Sequence, residues 1–589
     1  MMQQRLTRRH FLKISAYGAG SAVLSVGLSG CGDDDNDATT GITARFDHGV
    51  ASGDPTTNAL ILWTRVTPET DGEVTVSWEV ATDRDFTQLV TTGSTVTDAS
   101  RDYTVKVDAA ALESGQSYFY RFKSGETYSA TGHGKTLPVG AVDSVRFGVV
   151  SCANYPAGHF HAYRGIAEES LDAVLHLGDY LYEYGQGGYA TEDAAALGRE
   201  VQPAHELLSL SDYRTRYAQY RTDPDLQAAH AAHAFIAVWD DHEIANDAWR
   251  EGAENHNEGE GEYDVRQVAA LQAYFEWLPI RPPGNEAVSD TIYRSFAFGD
   301  LVGLHMLDTR VIGRDQQLDY GLYLDPATGA FDAERFVAEV SDPNRTLLGA
   351  EQLTWLQGTL LSDTATWQVL GQQILMGRMV LPAAIATQQM SIQEFADLAY
   401  VAQLAQRAQA GDTLTQEEQA YLIANAHRLT PEVIAALQLP SIPYNLDAWD
   451  GYAYEREVVL GTALAANANL VVLAGDTHNA WANNLSDIEG KPVGVEFATA
   501  SVSSPGLEEY LGIAPEEVEA TEAGIVSLVS GLEYLNAADR GYMTVTFTAD
   551  KAEASWQFVR DIKSAEYALE PARAYAASVT AGNKQLDTL

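Results

Sequence analysis

The chain has 589 residues, 46% of them hydrophobic, enough for more than one packed core at about 100–200 residues per domain. Its 37 lysines and arginines stand against 82 aspartates and glutamates, a formal charge of −45 that repels phosphate backbones and excludes nucleic-acid binding as the main task. Only two cysteines occur, Cys31 and Cys152, so no disulfide framework holds the fold together.

Residues 1–30 read as an address. Arg8-Arg9 precede a modest apolar stretch from Ile14 to Leu28, too short and glycine-rich to span a bilayer, in the pattern of a twin-arginine export signal. Leu28-Ser29-Gly30-Cys31 is similar to a bacterial lipobox, in which the cysteine becomes the lipidated first residue, and the acidic residues 31–44 read as a solvated tether. The partners expected are the twin-arginine export machinery and a membrane held through a lipid anchor at Cys31, with an exported protein at the periplasm or cell surface.

From residue 45 to residue 138 the pattern alternates and is β-rich. The runs are Leu60–Trp63, Val74–Val80, Tyr103–Val107 and Tyr118–Phe122, which predict an immunoglobulin- or fibronectin-like β-sandwich. Residues 142–565 change to short apolar strands between long helical or irregular segments, an α/β pattern, and 566–589 read as a C-terminal tail. Within that second region, 383–443 predicts a helical insertion with no strand. Ser391-x-x-Glu394 and Thr415-x-x-Glu418 are capping boxes, Gly411 closes the first helix, and Thr430-Pro431 starts a third.

The expected strands share their endings. Val145–Val150 runs into Ser151-Cys152, Leu171–Leu177 into Gly178-Asp179-Tyr180-Leu181-Tyr182, and Ala234–Trp239 into Asp240-Asp241-His242-Glu243. Leu301–Leu307 runs into Asp308-Thr309-Arg310, Trp367–Leu375 into Met376-Gly377-Arg378, and Leu470–Leu473 into Gly475-Asp476-Thr477-His478. Ligands of α/β sheets collect beyond the carboxyl ends of strands, so these clusters predict one site. Their residue types are those of metal ligands: Asp179 has two oxygens with which to bridge two ions, Tyr182 offers a phenolate, Cys152 a thiolate, and Asp240 beside Asp241 calls for a neutralising cation.

These motifs, together with Gly49–Pro55, Leu62-Trp63-Thr64-Arg65, Asp447–Tyr452 and Arg540-Gly541-Tyr542, resemble the alkaline phosphatase D (PhoD-like) branch of the calcineurin-like metallophosphatases. The resemblance implies a metallophosphatase β-sandwich flanked by helices, following the N-terminal sandwich. It places Asp179 as the bridge between metals, with Tyr182 and Cys152 on iron(III), Asp241 at a ligand position, and His242 as the catalytic acid or phosphate contact. Asp240 joins the metal set, and Asp476 with His478 occupies the place of a Gly-His-x-His motif. An oxygen ligand at Asp476 implies calcium as the second ion. Where the wider superfamily has a lone metal-binding histidine, this chain has Met376.

The function so implied is an exported metal-dependent phosphatase that hydrolyses small phosphate monoesters or diesters through a metal-bound hydroxide. The rival readings are a phospholipase D-like phosphodiesterase and a calcium-binding surface adhesion protein. Arg310 and Arg378 are candidates to hold the phosphate, each equally readable as an ordinary ion-pair arginine.

Overall fold

The computed structural model describes residues 42–282, 290–325, 331–386 and 389–587. The twin-arginine segment, Cys31 and the acidic run after it lie outside these residues.

Short, largely apolar runs form two central sheets, and their middle strands are buried at every position, as strands covered on both faces require. The larger sheet has nine strands, in the order Tyr575–Thr580, Lys551–Phe558, Gly541–Thr548, Ser144–Val150, Ala173–His176, Ala234–Ala237, Val50–Gly53, Leu60–Arg65 and Thr104–Ala109. The second has seven, in the order Arg294–Phe298, Val302–Met306, Trp367–Gly371, Leu470–Ala474, Pro492–Ala498, Ala480–Ser486 and Leu532–Asn536. Val145, Phe147 and Val149 of the first sheet and Val302, Leu304, Val369 and Val471 of the second belong to one buried cluster between them. Helices cover the outer faces: Ile166 of the His161–Glu168 helix lies over Gly148, and helices Gly349–Ser362 and Ala453–Ala465 pack Leu356, Leu360, Val459 and Leu460 on Leu370 and Val472. The fold is therefore the expected mixed α/β sandwich flanked by helices.

The N-terminal region forms a sandwich of its own, but one of its two sheets is shared with the rest of the molecule. Strands Val74–Ala81, Leu89–Thr97, Ser117–Ser124, Thr127–Tyr128 and Gly132–Lys135 make the outer sheet. Val76, Tyr120 and Phe122 on that sheet pack against Val50, Leu60, Leu62 and Val105, which belong to the nine-stranded sheet. The join is a parallel pairing of Ser52 with Ala234 and Gly53 with Phe235. Gly53 is required there, because a Cβ would lie 2.3 Å from the Pro279 carbonyl and 2.5 Å from that of Phe235. Asp54 completes the seam: its buried carboxylate pairs with Arg294 at 2.6 Å and accepts the Arg281 amide at 2.8 Å. These contacts give the Gly49–Pro55 motif a structural role.

Two other expectations change. Residues 566–587 are not a loose tail, since Tyr575–Thr580 pairs antiparallel with Lys551–Phe558 and turns Ala577 and Val579 into the core. The helical insertion contains its three capped helices, Ile392–Ala410, Gln416–Asn425 and Pro431–Leu437, but it also ends in a strand. Ser441–Pro443 pairs with Val380–Pro382, a two-stranded ribbon too short to announce itself by periodicity.

Candidate active site

Strands Ser144–Val150, Ala173–His176 and Ala234–Ala237 are mutually parallel, as are Val302–Met306, Trp367–Gly371, Leu470–Ala474 and Pro492–Ala498, so their carboxyl ends share one edge of the sandwich. The two sheets touch there: the Val502 amide donates to the Ser151 carbonyl at 2.9 Å. Just beyond these ends the chain turns sharply, and Cys152, Asp179, Asp476 and His478 all have left-handed backbone (φ +60°, +54°, +62° and +62°). Non-glycine residues seldom adopt that conformation, and it gathers where a site dictates it.

Glu243 fixes the spacing of two of the turns. Its buried carboxylate accepts the amides of Asp179 at 3.1 Å, Tyr180 at 2.6 Å and Asp240 at 2.7 Å, so one side chain ties two strand ends together. Gly178 lets them approach, since a Cβ there would sit 2.4 Å from the Asp240 Cβ. Removing the carboxylate would leave three buried N–H groups without an acceptor, at about 1–3 kcal/mol each.

All eight residues proposed from sequence come together. Three overlapping groups have donor atoms within 4.8 Å of one another: Cys152, Asp179 and His478; Asp179, Asp241 and His242; Asp240, Asp241 and Asp476. Tyr182 lies inside the first group, donating its hydroxyl to Asp179 at 3.0 Å, touching His478 Nε2 at 3.0 Å and accepting from Ser504 at 2.6 Å. His478 Nδ1 donates to the Pro505 carbonyl at 2.6 Å, which leaves Nε2 as the nitrogen with a lone pair for a ligand.

Charge is the dominant feature. Burial and the neighbouring aspartates hold the carboxyls of Asp179 and Asp476 well above the ordinary range and that of Asp240 at about 6. Asp241 is drawn the other way, to about 2, because Arg310 and His242 outweigh its burial. Arg310 is the internal counter-ion: fully buried, it pairs with Asp240 at 2.5 Å, Asp447 at 2.7 Å and Asp476 at 3.2 Å. Asp308 aims it by accepting its amide at 2.9 Å. Arg378 instead pairs with Glu457 at 2.8 Å, and Met376 is buried in the apolar layer behind the second sheet, so neither contributes to the site.

These residues fit metal ions. Asp179 Oδ1 and Asp240 Oδ2 are buried with no hydrogen-bond partner, and buried carboxylate oxygens left so call for a cation. Thiol, phenol and imidazole join Asp179 in one group, Asp241 and His242 join it in a second, and Asp240, Asp241 and Asp476 make a third of carboxylates alone, so the donor sets differ.

His242 has a separate anchor. Its Nδ1 donates to Glu183 at 2.7 Å, and Glu183, fully buried, also accepts from the Asn246 amide at 2.8 Å and Asn255 at 2.7 Å. Burial opposes charge on His242, but Asp241, Glu183 and Asp179 prevail and raise its pKa well above the usual imidazole value. Sequence reasoning passed over Glu183, Ser504 and Asp447. Glu183 directly follows the Asp179–Tyr182 element and Asp447 opens a quoted motif, so both carried a signal; Ser504 carried none.

Comparison with known proteins agrees with this architecture. Residues 147–556 match the model of the PhoD-like phosphatase family, and residues 33–138 that of the PhoD-like phosphatase N-terminal domain. The chain belongs to the PhoD-like phosphatase family. Alkaline phosphatase D of Bacillus subtilis (strain 168) is 35% identical over 479 residues, covering 78% of this chain and 70% of the relative. A solved structure of PhoD superposes with a TM-score of 0.72 at 30% identity, covering 94% of this chain and 93% of the other. The protein is therefore a phosphatase, a hydrolase of phosphoric esters, and the adhesion reading falls.

Proposed function

We propose that this PhoD-like phosphatase is metal-dependent, that it is exported and lipid-anchored, and that it hydrolyses small phosphate monoesters or diesters. The observation that carries metal dependence is the position of Asp179: it is shared by two donor groups, and one of its oxygens is buried without a partner. Cys152, Tyr182 and His478 would hold iron(III) beside Asp179, and Asp240, Asp241 and Asp476 would hold calcium, hard oxygen ligands suiting that ion. When bound, such cations supply Lewis-acid stabilisation of charge developing on the phosphoryl oxygens.

The chain's own groups supply the rest. Glu183 keeps the His242 ring in one orientation and favours its protonated form, so Nε2 is positioned to donate a proton to the leaving-group oxygen. Arg310 offsets the crowded carboxylates, and Ser504 donates to the Tyr182 oxygen, a bond that a phenolate there would retain and strengthen.

The first test is colour. Iron(III) on a tyrosine phenolate gives a broad visible charge-transfer band, which Tyr182→Phe should bleach or shift; a colourless, iron-free protein with full activity would sink the assignment. The second separates roles: His242→Ala should keep its metal and lose roughly 10²–10⁴-fold in turnover, whereas Asp241→Ala should lose both. Equal metal loss in the two variants would make His242 a ligand instead. Chromogenic monoester and diester substrates compared on the metal-loaded protein decide the ester class.

For export, Arg8→Lys with Arg9→Lys should leave precursor in the cytoplasm, and Cys31→Ala should abolish acylation. Mature protein without lipid mass would refute the anchor alone. No helix among the described residues is long and apolar enough to cross a membrane, so the anchor would rest on that acyl group.

A further inference from the structure

The floor of the site accounts for phosphoryl transfer, but one of its walls is aromatic and has no part in that chemistry. The Tyr184 ring lies 5.5 Å from that of His242, and the Tyr189 ring 6.3 Å from that of His478, inclined to it by 30°. The two tyrosine rings are 5.9 Å apart. Tyr510, from the Leu507–Tyr510 helix, donates its hydroxyl to that of Tyr189 at 3.2 Å. Tyrosines that merely filled a core would be covered, yet Tyr184 and Tyr189 are half-buried and Tyr510 is 59% exposed.

The wall is held in place from behind. Arg216, fully buried, grips the backbone carbonyls of Tyr182 and Tyr184, the latter at 2.9 Å, and those of Gln202 and Pro203 as well. The turn from Gly185 to Gly188 then folds Tyr189 back towards Tyr184, and a Cβ at Gly188 would lie 2.9 Å from the Cβ of Tyr184. On the other side Arg540 pairs with Glu508 at 2.5 Å, fixing the helix that carries Tyr510. A rigid aromatic surface beside the leaving-group acid loses little freedom when a flat ring stacks on it.

We propose that Tyr184, Tyr189 and Tyr510 form a leaving-group subsite that selects phosphate esters whose alcohol carries a planar aromatic group, nucleoside monophosphates among them, over esters of small aliphatic alcohols. The proposal rests on the reading of the Asp179 cluster as the site of phosphoryl transfer. A neutral flat leaving group also suits a chain of net charge −45, which repels any further anionic group on the substrate.

Adenosine 5′-monophosphate and ribose 5-phosphate test it, because both release a primary ribose alcohol and differ in the base alone. Stacking on aromatic side chains predicts a kcat/KM for the nucleotide roughly tenfold higher in the wild-type enzyme, expressed mainly in KM. Tyr184→Leu and Tyr189→Leu should each reduce that ratio and together bring it near one, while Tyr184→Phe and Tyr189→Phe, which keep the ring, should preserve it. A wild-type ratio near one, or a ratio unmoved in the double leucine variant, overturns the subsite. Asp179→Asn reads the underlying assignment separately: if ribose 5-phosphate is still hydrolysed by that variant, the site itself is wrong, whatever the tyrosines do.

Discussion

The N-terminal sandwich and the helical insertion are attached to the phosphatase core in opposite ways. The sandwich looks separable in sequence, yet strand Val50–Gly53 hydrogen-bonds directly to Ala234–Ala237, the strand that leads to Asp240 and Asp241. The insertion interrupts the chain between two core strands, yet it stands on the Val380–Pro382 and Ser441–Pro443 ribbon. Its Leu398, Val401 and Leu404 are buried on a helix that packs on the insertion's other helices and on the Val518–Leu528 helix, and Ile392 and Phe395 lean on a small cluster with Leu507 and Ile525. Shared backbone pairing makes a segment part of the scaffold; side-chain contact alone leaves it an addition.

The strongest test of that contrast is removal of everything before residue 139. It would expose the edge of Ala234–Ala237 and strip the cover from its sheet, so the remainder should show no cooperative melting transition and no phosphatase activity. A folded, active fragment would mean that the seam is dispensable. Next in size is Arg294→Ala, which leaves the Asp54 carboxylate buried without its partner at the seam. Breaking such a pair costs about 3–5 kcal/mol, readable as a fall in the urea midpoint, and a loss under 1 kcal/mol would count against the seam.

Acid should act on the sandwich side too. Burial, reinforced by Arg65 and Arg221, lowers the pKa of His48 to about 3, against about 6.5 unfolded. Between those values the unfolded chain binds the extra proton, so stability is full above pH 6.5 and falls as pH drops towards 3, by about 1.4 kcal/mol per unit. His48→Gln should flatten the pH dependence of the urea midpoint between pH 6.5 and 5.5; an unchanged slope would refute it. The smallest effect is expected from replacing residues 385–440 by a glycine-serine linker. The melting temperature should drop slightly as Ile392 and Phe395 leave their cluster, while metal content and turnover of a small chromogenic ester should persist. Loss of metal in that variant would make the insertion as integral as the sandwich.

What the sequence revealed follows the same division. Strand ends were legible because parallel strands deliver their following residues to one edge, so Cys152, Asp179, Asp241 and His478 could be grouped without knowing any pairing. The insertion's helices were legible because caps are local: the side chains of Ser391, Thr415 and Thr430 each accept an amide three residues on. The seam was not, since pairing of Gly53 with Phe235 joins residues far apart through backbone groups that leave little trace in side-chain type. Arg216 was equally silent. An arginine within a helix reads as surface, and only the fold shows it buried against four carbonyls.

The left-handed turns at Cys152, Asp179, Asp476 and His478 carry a further implication, for the direction in which this enzyme would drift if its task were lifted. Each holds a side chain in a backbone conformation that costs an ordinary residue on the order of 1–2 kcal/mol, and three of the four belong to a crowded set of like charges or their imidazole neighbour. Glycine at any of these positions would relax the chain, and at Asp179 or Asp476 it would also thin the crowding of carboxyl groups. A screen for thermal tolerance alone would therefore collect glycines at the catalytic edge and return a sturdier, inert protein, since cysteine, aspartate and histidine at those turns serve the site against the preference of the fold.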